Sequence, residues 1–271
     1  MRSAASLLVL LALAGCGGSG GDDSKTVVAA FYPLAWAAEQ IVAEGTEVVN
    51  LTPPGAEPHD VELSPRDVET IRDARLVIYV GDGFQPAVDD AVSRRDRISL
   101  DVRNGDLDPH IWLDPGRFAL AIREIGRAVG RPGEAEDLVN ELARVDVGYQ
   151  VELRYCERRT IVTGHAAFGH LAAGYGLTQL SLAGLSPETE PGPRELERLI
   201  TEVRASGATT VFAEPLVSDR LVETIARDAQ LKVATLDPLE GLSEERLAEG
   251  EDYFSVMRRN LDALKRALGC R

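Results

Sequence analysis

Four histidines are spread over a chain of 271 residues, and three of them stand in surroundings that would hold an imidazole still. His110 lies in D-P-H-I-W-L-D-P, residues 108–115, between two Asp-Pro steps. Each proline fixes its own φ and keeps the residue before it out of the α region, so a short extended piece with rigid ends is expected. His59 closes a loop, T-P-P-G-A-E-P-H-D, stiffened by three prolines. His165 in V-T-G-H and Asp237 in T-L-D-P-L each follow a short run of strand character. Imidazole nitrogen and carboxylate oxygen are the donors that zinc and its first-row neighbours take, usually four in a tetrahedron. The expectation is that His59, His110, His165 and Asp237 converge on one divalent metal. A single histidine is more often structural than a ligand, and the argument rests on the joint placement of these residues in both halves of the chain.

His170 follows His165 by five residues. On one helix it would point about 140° away, so it is expected at the edge of the site and not as a ligand. Glu214, before Pro215 at another strand end, is either an ordinary ion-pair partner or the acceptor that orients a ligand histidine, since metal-bound imidazoles usually donate their second N–H to a carboxylate or carbonyl. The same ligand set with one position left open for water would suit a metal hydrolase. Against hydrolysis, the chain has no H-E-x-x-H helix and no obvious general base beside the ligands except Glu214.

These residues need elements to position them. In the first half, strand-type runs at residues 26–31, 47–51, 76–80 and 97–102 alternate with helical spacing at 33–43, 67–74 and 86–93, which is the pattern of an α/β layer. Helical periodicity follows at 118–129, and a second helix at 134–155 is long enough, roughly 30 Å, to cross between two domains. The second half repeats the alternation, with strands at 160–163, 210–213 and 232–236 and helices at 166–175, 195–205, 218–229 and 253–268, plus a proline-stiffened loop E-T-E-P-G-P. The resulting division is a first lobe at 25–133, a linking helix at 134–155 and a second lobe at 156–271. Ligands in such sheets sit beyond the carboxyl ends of the strands, where His165 and Asp237 fall.

Residues 1–15 have a charged start, a short apolar stretch and small residues before a cleavage point, the pattern of a signal peptide. L-A-G-C resembles a bacterial lipobox, which makes Cys16 the lipidated first residue of the mature chain, and residues 17–24, G-G-S-G-G-D-D-S, a flexible tether. Export leaves Cys156 and Cys270 in an oxidising compartment, where they are expected to pair and to stabilise the fold by about 2 to 4 kcal/mol. The net charge of −15 excludes nucleic acid as a partner, because phosphate binding needs a basic face.

P-H-D-V-E-L-S-P, D-P-H-I-W-L-D-P, V-T-G-H-A-A-F-G-H-L, E-P-G-P-R-E-L, F-A-E-P and T-L-D-P-L resemble, in order and over essentially the whole mature chain, the zinc/manganese-specific solute-binding proteins of ABC importers. The resemblance implies two (βα)4-type lobes joined by one long rigid helix, with the metal buried between them. It implies His59, His110 and His165 as nitrogen ligands and Asp237 as the carboxylate. It further implies a monomeric receptor, lipid-anchored on the outer face of the cell membrane, that hands its metal to an ABC permease and its ATPase, and not an enzyme. Zinc is the expected metal and manganese the alternative, since manganese-specific members tend to carry glutamate where this chain has His165. Some members have been assigned a surface adhesin role. Two departures stand out: residues 104–107 connect directly to the His110 motif without the His- and acid-rich loop of many zinc members, and His170 replaces a usual aromatic residue.

Overall fold

A computed structural model describes residues 25–187 and 191–271, so the signal peptide, Cys16, the tether and part of the E-T-E-P-G-P loop lie outside the described residues. In the first lobe β1 (Thr26–Ala29), α1 (Tyr32–Ile41), β2 (Glu47–Asn50), α2 (Pro65–Asp73), β3 (Leu76–Tyr79), α3 (Pro86–Ser93) and β4 (Ser99–Asp101) alternate in chain order. Then come two helices, α4 (Pro115–Val129) and α5 (Pro132–Glu152). The second lobe contains β5 (Thr160–Thr163), α6 (Gly169–Gly174), β6 (Thr178–Ser181), α7 (Pro193–Ala205), β7 (Thr210–Ala213), α8 (Arg220–Ala229), β8 (Lys232–Thr235), α9 (Glu244–Ala248) and α10 (Tyr253–Leu268).

Each lobe has one four-stranded sheet, in the order β2-β1-β3-β4 and β6-β5-β7-β8. All pairings are parallel, so the strand carboxyl ends of each sheet lie on one edge, and the site-bearing loops leave from there. The apolar runs of β1 and β3 are buried because helices cover both faces of the sheet. Two elements are absent from the sequence reading. β6 is an edge strand with little buried surface, and T-Q-L-S has no apolar run to mark it. α9 is a single capped turn of five residues.

The helix expected at 134–155 runs instead from Pro132 to Glu152, 21 residues and about 30 Å. Pro132 occupies the first helical turn, where its missing N–H costs no hydrogen bond, so it starts the helix that its presence seemed to delay. The largest core joins the first lobe, α4, α5, α10 and the inner part of the second lobe. A smaller core beneath α7 and α8 stands apart. The Cys156–Cys270 disulfide ties the entrance of the second lobe to the end of α10. Among the described residues no helix is long and apolar enough to cross a membrane.

Candidate metal centre

The loop after β2 carries His59 into the cleft on a short 3-10 turn, Pro58–Asp60, whose first residue is proline and whose cap is the Glu57 side chain, accepting from the His59 amide at 3.2 Å. Gly55, at φ +78°, turns this loop in a conformation that disfavours a side chain, and its amide donates across the cleft to the Leu242 carbonyl at 3.0 Å. The Phe84 ring lies edge-on to the His59 imidazole, centroids 4.4 Å apart.

The His110 segment is not uniformly extended. Its two prolines restrain only the residues before them, Asp108 and Asp114, and between these Ile111–Leu113 winds into a 3-10 turn. The two aspartates then do different work. Asp114 caps α4 by accepting from the Arg117 amide, whereas Asp108 Oδ1 accepts from the His110 amide at 3.0 Å and from His110 Nδ1 at 2.8 Å. Because a carboxylate only accepts, Nδ1 carries a proton, and Nε2 is the ring nitrogen left to face the cleft.

His165 leaves β5 through Gly164, where an added Cβ would lie 2.8 Å from Glu214 Oε1. That close approach lets Glu214 accept from the His165 amide at 3.0 Å and hydrogen-bond to His165 Nδ1. Glu214 is therefore the orienting carboxylate, by the same logic as Asp108. His170 lies outside the cluster: its Nε2 is 3.0 Å from the Asp108 carbonyl oxygen, a tie from α6 to the loop that presents His110.

The structure brings His59, His110 and His165 together, and the carboxylate that meets them is Glu240, not Asp237. One donor atom from each of His59, His110, His165 and Glu240 lies within 4.8 Å of the others. Glu240 Oε1 is 3.5, 3.2 and 3.3 Å from Nε2 of His59, His110 and His165. Metal–donor bonds of 2.0–2.2 Å in a tetrahedron place donors about 3.3–3.6 Å apart, and the three edges to Glu240 lie within or just below that range. The contacts couple charge but are not aligned as hydrogen bonds: all three Nε2 atoms and both Glu240 oxygens are buried without a hydrogen-bond partner. Buried polar atoms are rarely left so, and a cation among them would satisfy the three nitrogens and a Glu240 oxygen. Burial alone would raise the Glu240 carboxyl, yet the histidines hold it well below the usual carboxylate range. Burial pulls the His165 imidazole down, and Glu214 and Glu240 outweigh it, pushing it up to about 10. His110 is raised in the same way, with Asp108 and Glu240 overcoming burial.

Asp237 is excluded from the donor cluster because both its oxygens are engaged. Oδ2 pairs with Arg246 Nη2 at 2.7 Å, and Oδ1 accepts from the Leu239 amide at 2.8 Å. The latter is a turn in which the side chain stands in for backbone. Leu239 sits in it at φ +58°, and the chain thereby redirects to bring Glu240 into the cleft. The clue available in T-L-D-P-L-E was the Asp-Pro step itself, since such an aspartate is as much a turn former as a ligand, with a second carboxylate three residues on.

Residues 27–267 match the family described as ZnuA, zinc-uptake complex component A, periplasmic. The chain belongs to this family. It is 30% identical over 300 residues to the high-affinity zinc uptake system protein ZnuA of Bacillus subtilis, covering 95% of this chain and 94% of that protein. It is 29% identical to zinc-binding protein AdcA of Streptococcus pyogenes serotype M1 over 90% of this chain, but spans only 56% of that longer relative. Among solved structures, the Zn(II)-bound ZnuA-like domain of Streptococcus pneumoniae AdcA matches with a TM-score of 0.75 at 30% identity, over 90% of this chain and 98% of that one.

Proposed function

We propose that this family member is an extracytoplasmic receptor that captures one zinc ion between its lobes, through His59, His110, His165 and Glu240, and delivers it to the permease of an ABC importer. The observation that carries this reading is the convergence of three imidazole nitrogens and one buried carboxylate oxygen within 4.8 Å of one another, none of them with a hydrogen-bond partner. Three nitrogens and one oxygen suit zinc, whereas manganese does better with more oxygen. Four protein donors fill a tetrahedron, and Glu214, the one residue that could have served a hydrolase as base, is committed to His165. Both features favour holding an ion over hydrolysis. Zinc named in the relatives supports the cargo, and the lipobox at Cys16 supports retention by a lipid anchor on the outer face of the cell membrane.

Stripping the purified protein with chelator and titrating zinc against a competing indicator tests the proposal. One tight site per chain is expected, lost with His110→Ala. A wild-type protein that takes up no zinc would overturn it.

A further inference from the structure

His110 and His165 are each held by a carboxylate, but Glu240 has no such partner: neither of its oxygens meets a hydrogen-bond donor. Its aim depends on the backbone of residues 237–240, and that backbone is tied down from Asp237 to Leu239 by four hydrogen bonds. Asn260 brackets Asp237, its Oδ1 accepting from the Asp237 amide at 2.9 Å and its Nδ2 donating to the Asp237 carbonyl at 2.7 Å. Trp112 Nε1 donates to the Pro238 carbonyl at 2.7 Å. The Asp237 side chain then closes the turn through the Leu239 amide, holding a leucine in the left-handed region that costs a branched side chain roughly 1 to 2 kcal/mol when unsupported. Arg246 completes the frame on the far side. It pairs with Asp237 at 2.7 Å and with Glu251 at 2.6 Å, beside an open cleft also lined by Arg259 and Arg266.

We propose that Asp237, locked by Arg246 and Asn260, is the positioning residue for Glu240, and that this ion pair sets how tightly the fourth ligand holds the metal. The proposal rests on the zinc-receptor reading above. It makes the second lobe's carboxylate ligand adjustable from the solvent cleft at Arg246, on the side of the loop away from the metal.

The test is a double-mutant cycle on zinc affinity, measured by chelator competition, in wild type, Asp237→Ala, Glu240→Ala and the double variant. Partners outside the ligand shell typically change metal affinity about 10- to 100-fold, so Asp237→Ala is expected to weaken zinc by that factor while Glu240 is present. In the Glu240→Ala background the same change should cost less than about 2-fold, because Asp237 acts only through Glu240. Asp237→Asn keeps the turn-closing acceptor but gives up the ion pair with Arg246, so its affinity should fall between those of wild type and Asp237→Ala. Arg246→Gln, at a half-exposed residue, carries the same cycle if Asp237→Ala does not fold. An equal loss in both backgrounds, or none in either, overturns the proposal: the first makes Asp237 a ligand or a general prop, the second makes it irrelevant. Cobalt(II) absorption gives an independent reading, since Asp237→Ala should lose intensity in the visible bands that a four-coordinate site shows, and an unchanged spectrum also overturns it. A wild type that binds no zinc would instead sink the receptor reading.

Discussion

The two sheets share one strand order yet present their ligands by different means. The first lobe wedges its histidines among aromatic rings: Phe84 lies against His59, and His110 sits 5.2 Å from the Trp112 ring, which in turn contacts Phe31 inside the large core. Asp108 is its one polar support for a ligand ring. The second lobe holds His165 and Glu240 with polar ties, through Glu214 in one case and the Asp237 turn in the other, and its outer half is backed only by the small core under α7 and α8. Packing gives the first lobe a preformed half-site. The second lobe's half-site is built from hydrogen bonds whose worth depends on all partners being in place, and this is the lobe expected to respond when metal enters or leaves.

Loss of a ligand is the largest effect and should not distinguish the lobes. His110→Ala and His165→Ala are each expected to lower the zinc retained through purification from one per chain to well below one by elemental analysis, leaving only weak binding, and full occupancy in either would break the site assignment. The lobes should separate in the metal's effect on stability. Binding to the native state alone adds about 4.1 kcal/mol at free zinc 1,000 times the dissociation constant. Hydrogen exchange with and without chelator should show most of the added protection at 163–165 and 237–242 and little at β1 and β3. Equal protection in both lobes would remove the contrast.

The same contrast explains what was legible in the sequence. Buried central strands such as β3 and β5 announce themselves as apolar runs, and proline-bounded histidines mark themselves by rarity and frame. Edge strand β6 buries too little to leave a pattern. Glu240 was missed because its role depends on a turn closed by Asp237 with Arg246 and Asn260 as supports, contacts 9 and 23 residues apart that no local pattern encodes. The orienting role of Glu214 was visible as one of two alternatives, and only its approach over Gly164 decides between them.

The disulfide sharpens the contrast further. Cys156–Cys270 closes a 114-residue separation wholly within the second lobe and its closing helix. Replacing both cysteines with serine should cost about 2 to 4 kcal/mol in denaturant unfolding. Zinc affinity should change little, since neither cysteine touches a support of the site. A large loss of affinity would show the second half-site to be strained by global stability and not only by its polar ties.

Proton release comes next in size. In the metal-free protein His165, at about 10, is protonated at neutral pH, so zinc must displace at least one proton to reach Nε2. Each displaced proton makes affinity fall tenfold, about 1.4 kcal/mol, per pH unit as pH drops below that value. Glu214→Gln removes one of the two carboxylates that push His165 up, leaving Glu240 alone against burial, and should reduce the number of protons released at pH 7.5. Calorimetry in buffers of different ionisation enthalpy reads this directly, and the same release from both proteins would show that Glu214 does not set the basicity of His165.

The smallest expected effect concerns a polar tie that runs from the second lobe to the loop presenting a first-lobe ligand. His170 Nε2 meets the Asp108 carbonyl at 3.0 Å, and Asp108 fixes His110. A neutral hydrogen bond of this kind is worth about 0.5 to 1.5 kcal/mol net, and only part of it can be felt two steps away at the metal. His170→Phe, which fills the buried space without offering a donor, is therefore expected to weaken zinc by no more than roughly 2- to 4-fold, less than Asp237→Ala. The reason is the difference between the lobes: aromatic packing continues to place His110 when one polar partner is lost, whereas Glu240 is placed through hydrogen bonds on the 237–239 backbone. If His170→Phe weakened zinc as much as Asp237→Ala does, the first lobe's half-site would depend on polar ties as fully as the second's, and packing would not be what preforms it.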